Sequence, residues 1–185
     1  MGSFNIENYF NILEQEISKI LSRKEKDLLT FDILDTEKSI NNKLIALREK
    51  QRQMKIGEIW QVVIGNYDGF ENLKIGHESG LDILSTSKKI AIELKNRTNT
   101  DNYSSKKSNF DKLSNYKKAN QEYICIYGNI NSKTEKSTLK GRKKIIKYYG
   151  IEIEHLIGYE LLFFIFGTDT SCIINFVKKI IDKYT

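Results

Sequence analysis

Asp82, Glu93 and Lys95 have the types and spacing to do chemistry together: ten residues separate the two acids, and one separates Glu93 from the lysine. Residues 81–85 and 90–95 are alternating or β-branched runs, and the polar Thr86, Ser87, Lys88 and Lys89 between them read as a tight turn. Alternation puts Ile90, Ile92 and Leu94 on one face of the second strand and Ala91, Glu93 and Lys95 on the other. A turn centred between Ser87 and Lys88 sets Asp82 directly opposite Glu93, with roughly 5 Å between their Cβ atoms. Facing carboxylates repel, and a divalent cation offsets that repulsion with help from Lys95. Hard oxygen ligands without a neighbouring His or Cys cluster favour Mg²⁺, with Mn²⁺ as a substitute, over Zn²⁺. Two carboxylates, a cation and an ammonium suit hydrolysis of a phosphodiester. The competing reading is a surface hairpin with Glu93 and Lys95 solvated. The apolar strand around Glu93 and the register of Asp82 weigh against it.

Gly80, Leu81 and Asp82, followed after ten residues by Glu93, Leu94 and Lys95, resemble the PD-(D/E)xK nuclease signature, with Leu81 where its name has proline. The continuation from Glu93 through Asn96, Arg97, Asn99 and Asn102 to Ser104, Ser105, Lys106 and Lys107 is similar to a narrower group. These are the type II restriction endonucleases that cut GGNCC or GGWCC sites. Matching pieces also lie at Gly57, Glu58, Ile59, Trp60 and Gln61, at residues 68–74, at Gly76 and His77, and at residues 123–128. The resemblance spans roughly Gly57 to Gly167. At 185 residues the chain is short for such an enzyme, so peripheral DNA-reading elements are expected to be trimmed.

The resemblance implies an α/β, restriction-endonuclease-like fold: a mixed β-sheet core flanked by helices, with further helices at the N- and C-terminal ends. It implies a Mg²⁺-dependent enzyme on double-stranded DNA, cutting a short near-palindromic site to leave staggered 5′-phosphate ends, alongside a methyltransferase protecting host DNA. Asp82, Glu93 and the backbone carbonyl of Leu94 would bind the metal, and Lys95 would orient the attacking water. Glu58 would add an acid near the metal, as on the helix preceding the hairpin in some related nucleases. Its alternative role is that of a helix N-terminal acid favoured by the dipole. One site per chain and two strands to cut call for a homodimer.

The elements that must position these groups follow along the chain. Phe10, Leu13, Ile17, Ile20 and Leu21 form one helical stripe; Ile40, Leu44, Leu47 and Met54 form a second, starting near Asp35 or Thr36. These helices would pack on the sheet or on a second subunit. Gly57 is expected to end the second helix, with residues 58–64 a separate short one. Residues 66–79 read as irregular. The polar run after Lys95 contains Asn96, Arg97, Asn99 and Asn102, suited to reading base edges or phosphates. Ser105, Lys106, Lys107 and, before the hairpin, His77 are further DNA-contact candidates. A basic helix with Phe110, Leu113 and Tyr116 inward would cross over to a parallel strand at residues 123–130. Residues 131–142 read as a basic loop and 145–149 and 151–157 as strands, with His155 structural. An apolar helix at Tyr159–Phe166 and an amphipathic one at residues 173–183 close the chain. The whole reads as one domain: a helical part over 1–55, a catalytic core over 56–167 and a C-terminal helix over 168–185.

Charge is unevenly spread. Residues 88–118 hold nine Lys or Arg against three acids, and residues 133–147 hold seven against one, so each segment carries +6 in a chain whose total is +6. Two such segments after the hairpin fit a surface that tracks phosphates. Cys125 and Cys172 show no metal or disulfide spacing and read as core thiols in a reducing compartment. The polar start and the short apolar runs predict a cytoplasmic protein. Two other functions fit the same residues: a structure-specific repair or junction nuclease of this fold, and a non-catalytic DNA-binding protein.

Overall fold

A computed structural model of the chain describes residues 4–26, 28–73, 76–97, 102–132 and 135–184. Helix α1 (Ile6–Ser22) begins where the Asn5 side chain accepts the Asn8 N–H at 3.0 Å, and it buries Tyr9, Leu13, Ile17 and Ile20. Helix α2 (Glu37–Gly65) opens on a capping box between Thr36 and Ser39 and runs 29 residues through Gly57. The break expected at Gly57 does not occur. One internal glycine costs only about 1 kcal/mol, and Ile59, Val63 and Ile64 beyond it are fully buried. Each contributes roughly 1.5–3 kcal/mol by burial, so packing outweighs local propensity. The 55/56 boundary thus falls inside one helix.

Six strands form a mixed sheet in the order β1-β2-β3-β4-β6-β5. They are β1 (Glu71–Asn72), β2 (Ile83–Ser85), β3 (Ile90–Arg97), β4 (Ile124–Asn131), β5 (Arg142–Tyr148) and β6 (Ile151–Ile157). Strand β1, a short edge strand, lies in the segment expected to be irregular. The central pairs β3–β4 and β4–β6 are parallel, and the outer pairs are antiparallel. Helix α3 (Tyr103–Ala119) provides the β3–β4 crossover, as a parallel pair requires. Helix α4 (Glu135–Lys140) occupies the stretch expected to be a loop.

Two cores sandwich the sheet. On one face Ile83, Ile92, Leu94, Ile126 and Leu156 pack with α1, the second half of α2, α5 (Tyr159–Phe166) and α6 (Thr170–Asp182). On the other, Ala91, Tyr127 and Ile153 pack under Phe110 and Leu113 of α3. Between Ile20 and Ile59 no described residue is buried, so the first half of α2 lies outside both cores. By length and composition Tyr159–Asp182 reaches what crosses a membrane, with mean hydropathy 1.4. It is interrupted by a 3₁₀ turn at Gly167–Asp169, and Leu161, Ile165, Phe166, Ile173, Val177 and Ile180 bury in the first core. Cys125 is a core thiol as expected; Cys172 is exposed, because it falls on the outer side of α6. The architecture is the restriction-endonuclease-like α/β fold, with helices at both ends.

Candidate active site

The hairpin adopts the expected register: Ile83 opposes Ile92, Leu84 opposes Ala91 and Ser85 opposes Ile90. The Asp82 N–H donates to the Ile92 carbonyl at 3.2 Å, carrying the pairing one residue further. Asp82 thereby enters the face of Leu84, Ala91 and Glu93. Its Oδ2 accepts the Leu94 N–H at 2.7 Å, and its Oδ1 accepts from Gln61 Nε2 of α2 at 3.2 Å. Because strand backbone groups alternate sides, the Leu94 carbonyl faces the same side as that of Ile92, toward Asp82.

Glu93 is only 1% exposed, in the middle of a strand buried on both faces. Its Oε1 accepts from Lys95 Nζ at 2.6 Å, and Lys112 Nζ of α3 stands 3.8 Å from the same oxygen. Its Oε2 is buried with no hydrogen-bond partner among the described residues. Burial raises the Glu93 carboxyl above the usual range, and the nearby Asp82 charge raises it further; Lys95 and Lys112 pull it back. A buried carboxylate oxygen without a donor is costly, and one cation at that atom would relieve both the orphaned acceptor and the Asp82–Glu93 repulsion. The donors are all oxygens, as Mg²⁺ prefers. Among the described residues no three His, Cys, Asp or Glu cluster, so a cation here would rest on two carboxylates, backbone and substrate oxygens. The residues fit such an ion.

Other expected site residues lie elsewhere. Glu58 is not brought to the pair: Arg23 Nη1 and Nη2 donate to its carboxylate at 3.2 and 2.8 Å. Three residues on, Gln61 is rotated roughly 60° around the helix and is the α2 side chain that reaches Asp82. Asn96 is engaged in the scaffold, with Nδ2 donating to the Gln53 carbonyl at 3.2 Å and Oδ1 accepting from Asn131 at 2.9 Å. Arg97 Nη2 is 3.7 Å from Glu49. Asn102 caps α3 by accepting the Ser105 N–H at 2.8 Å. Ser105, Lys106 and Lys107 are exposed on the first turns of α3. His77 is exposed and bonds locally to Ser79 at 2.8 Å. Asn99 lies outside the described residues.

Gln61 and Lys112 are the neighbours that sequence reasoning missed. Gln61 carries a faint signal, a polar side chain in an apolar helical turn; Lys112 is indistinguishable from the other lysines of α3. Lys112 also lines, with Glu78, Ser79, Gly80, Asn115 and Tyr116, a cavity of about 410 Å³ beside the hairpin.

The helix-flanked mixed sheet is that of a restriction-endonuclease-like fold, and its β2–β3 hairpin brings two acids and a lysine together. Residues 7–162 match the Eco47II restriction endonuclease family, and the chain belongs to that family. It is thus a type II site-specific deoxyribonuclease, a hydrolase that acts on double-stranded DNA. No curated protein and no solved structure matches the chain.

Proposed function

We propose that the chain is a PD-(D/E)xK enzyme that cuts GGNCC or GGWCC sites in duplex DNA with Mg²⁺ as cofactor, leaving staggered 5′-phosphate ends. The observation that carries this reading is the buried Glu93 carboxylate beside Asp82, with one oxygen on Lys95 and the other without a hydrogen-bond partner among the described residues. Asp82, Glu93 and the Leu94 carbonyl would hold the metal, with Mn²⁺ able to substitute. When bound, it supplies Lewis-acid polarisation of the phosphate and a water of lowered pKa. Lys95 orients the attacking water and offsets negative charge that grows on the phosphate oxygens. Gln61 fixes the Asp82 carboxylate through Oδ1, and Lys112 adds a second positive charge at Glu93. Water adds across the P–O3′ bond, giving a 5′-phosphate and a 3′-hydroxyl. Arg97, Asn99, Lys106 and Lys107 contact backbone or bases. With one such centre per chain, cutting both strands takes a homodimer. The enzyme works in the cytoplasm beside a methyltransferase that marks the same sites.

The test is a digest of one plasmid of known sequence with Mg²⁺, followed by sequencing of the ends. The reading expects every end to fall in a GGNCC or GGWCC site with a 5′ extension. Ends scattered by DNA shape would indicate a repair-type nuclease. Plasmid bound equally with and without Mg²⁺, and left intact, would remove catalysis altogether.

A further inference from the structure

The two basic segments, far apart in sequence, meet on one face of the sheet. Pairing between β5 and β6 places Lys144 opposite His155 and Arg142 opposite Ile157. Alternation splits the β5 cations between two faces. Lys143 and Lys147 point to the side of Glu154 and Glu152 and pair with them at 2.9 and 3.9 Å. Arg142 and Lys144 point to the other side, that of Ile146, Tyr148 and Ile153, where α3 packs. There Lys106 of α3 joins them, and all three cations act on His155, whose pKa is pushed down to about 4 by burial and then by Lys106, Lys144 and Arg142. His155 is itself fixed, its Nε2 lying 2.7 Å from Oδ1 of the buried Asn129. Because the Asn129 amide nitrogen donates to the Arg97 carbonyl, Oδ1 is the acceptor and the imidazole is the donor.

Among the described residues the side chains of Lys106, Arg142 and Lys144 make no ion pair or hydrogen bond, although each cation on the opposite face of β5 has an acid. Three converging cations without an acid repel one another, and an anion settles them. The face is also that of the candidate active site. Glu93 is level with Tyr127, Tyr127 with His155 and His155 with Lys144, one row across four strands. Three strand spacings put the cluster roughly 14 Å from Glu93, about four base-pair steps along a duplex.

We propose that Lys106, Arg142 and Lys144 form a phosphate-binding site that anchors the DNA backbone at a point distinct from the scissile phosphate. This rests on the nuclease reading for the identity of the ligand, a backbone phosphodiester rather than free phosphate. It is tested with full-length protein carrying Asp82→Ala, so that duplex remains uncut, by measuring duplex affinity across a salt series. Combining Lys106→Gln, Arg142→Gln and Lys144→Gln should lower the slope of log affinity against log salt by about 0.9 per phosphate released. Affinity should fall about tenfold for specific and unrelated duplexes alike. Lys143→Gln with Lys147→Gln, on the opposite face, serves as control and should leave the slope unchanged. Equal slopes for the triple variant and its parent overturn the site, as does an equal loss in the control. Inorganic phosphate that competes at concentrations comparable to the duplex assigns the site to free anion and also overturns the proposal. Failure of the parent to bind any duplex would instead sink the nuclease reading.

Discussion

Glu93, buried, and His155, half-buried, are ionisable groups on one face of the sheet, and their environments push them in opposite senses. For Glu93 the charged form is disfavoured by burial and by Asp82, which is the condition under which a cation binds with most gain. For His155 the protonated form is disfavoured by burial and three cations, with Tyr127 and Asn129 its other polar neighbours. Its folded pKa, about 4, lies below the ordinary 6.5. The folded state therefore holds fewer protons on this ring than the unfolded state, and the contribution to stability is complete above pH 6.5 and lost as pH falls toward 4. Comparing urea unfolding of the parent and His155→Gln at several pH values should show the parent losing more stability over that window. Parallel pH profiles would mean that the ring is solvated and free to protonate.

At the scale of elements, the joints around the site are rigid where side chains cannot fit. Gly158 connects β6 to α5 at φ +62, and a Cβ there would collide with the Thr138 carbonyl of α4. Its N–H also donates to the Asn129 carbonyl at 2.8 Å, tying the turn to β4. Gly158→Ala should cost at least about 2 kcal/mol, roughly 4–8 °C in Tm for a chain of this size; an unchanged Tm would show that the turn can relax. The hairpin was readable from sequence because strand alternation and turn length together fix its register, which is all that pairing Asp82 with Glu93 requires. The helices were readable from their stripes, but not the continuity of α2, because Gly57 is a breaker only where tertiary burial does not oppose it. Helix α4 was hidden in a polar basic stretch without an apolar stripe. The choice of Gln61 over Glu58 depends on how α2 is rotated against the sheet, and Arg23, 35 residues away, claims Glu58. Contacts of that range leave no local pattern.

For the whole molecule, the modest net charge of +6 conceals its arrangement. The residues outside 88–118 and 133–147 sum to −6, since each of those segments carries +6. The fold brings cations from both to the α3 face of the sheet, which also carries Asp82 and Glu93. Sequence located the two segments; only the β5–β6 register could say which of their cations are paired with acids and which converge. In the proposed mechanism Asp82, Glu93 and Lys95 act as one hydrolytic centre. The most direct measurement is single-turnover cleavage of a duplex carrying the mapped site by the parent and by Asp82→Ala, with binding of each protein to uncut duplex measured in parallel. The expected result is that Asp82→Ala abolishes cleavage, by at least about a thousandfold, while duplex binding is largely kept. Cleavage by Asp82→Ala at the parent's rate would contradict it.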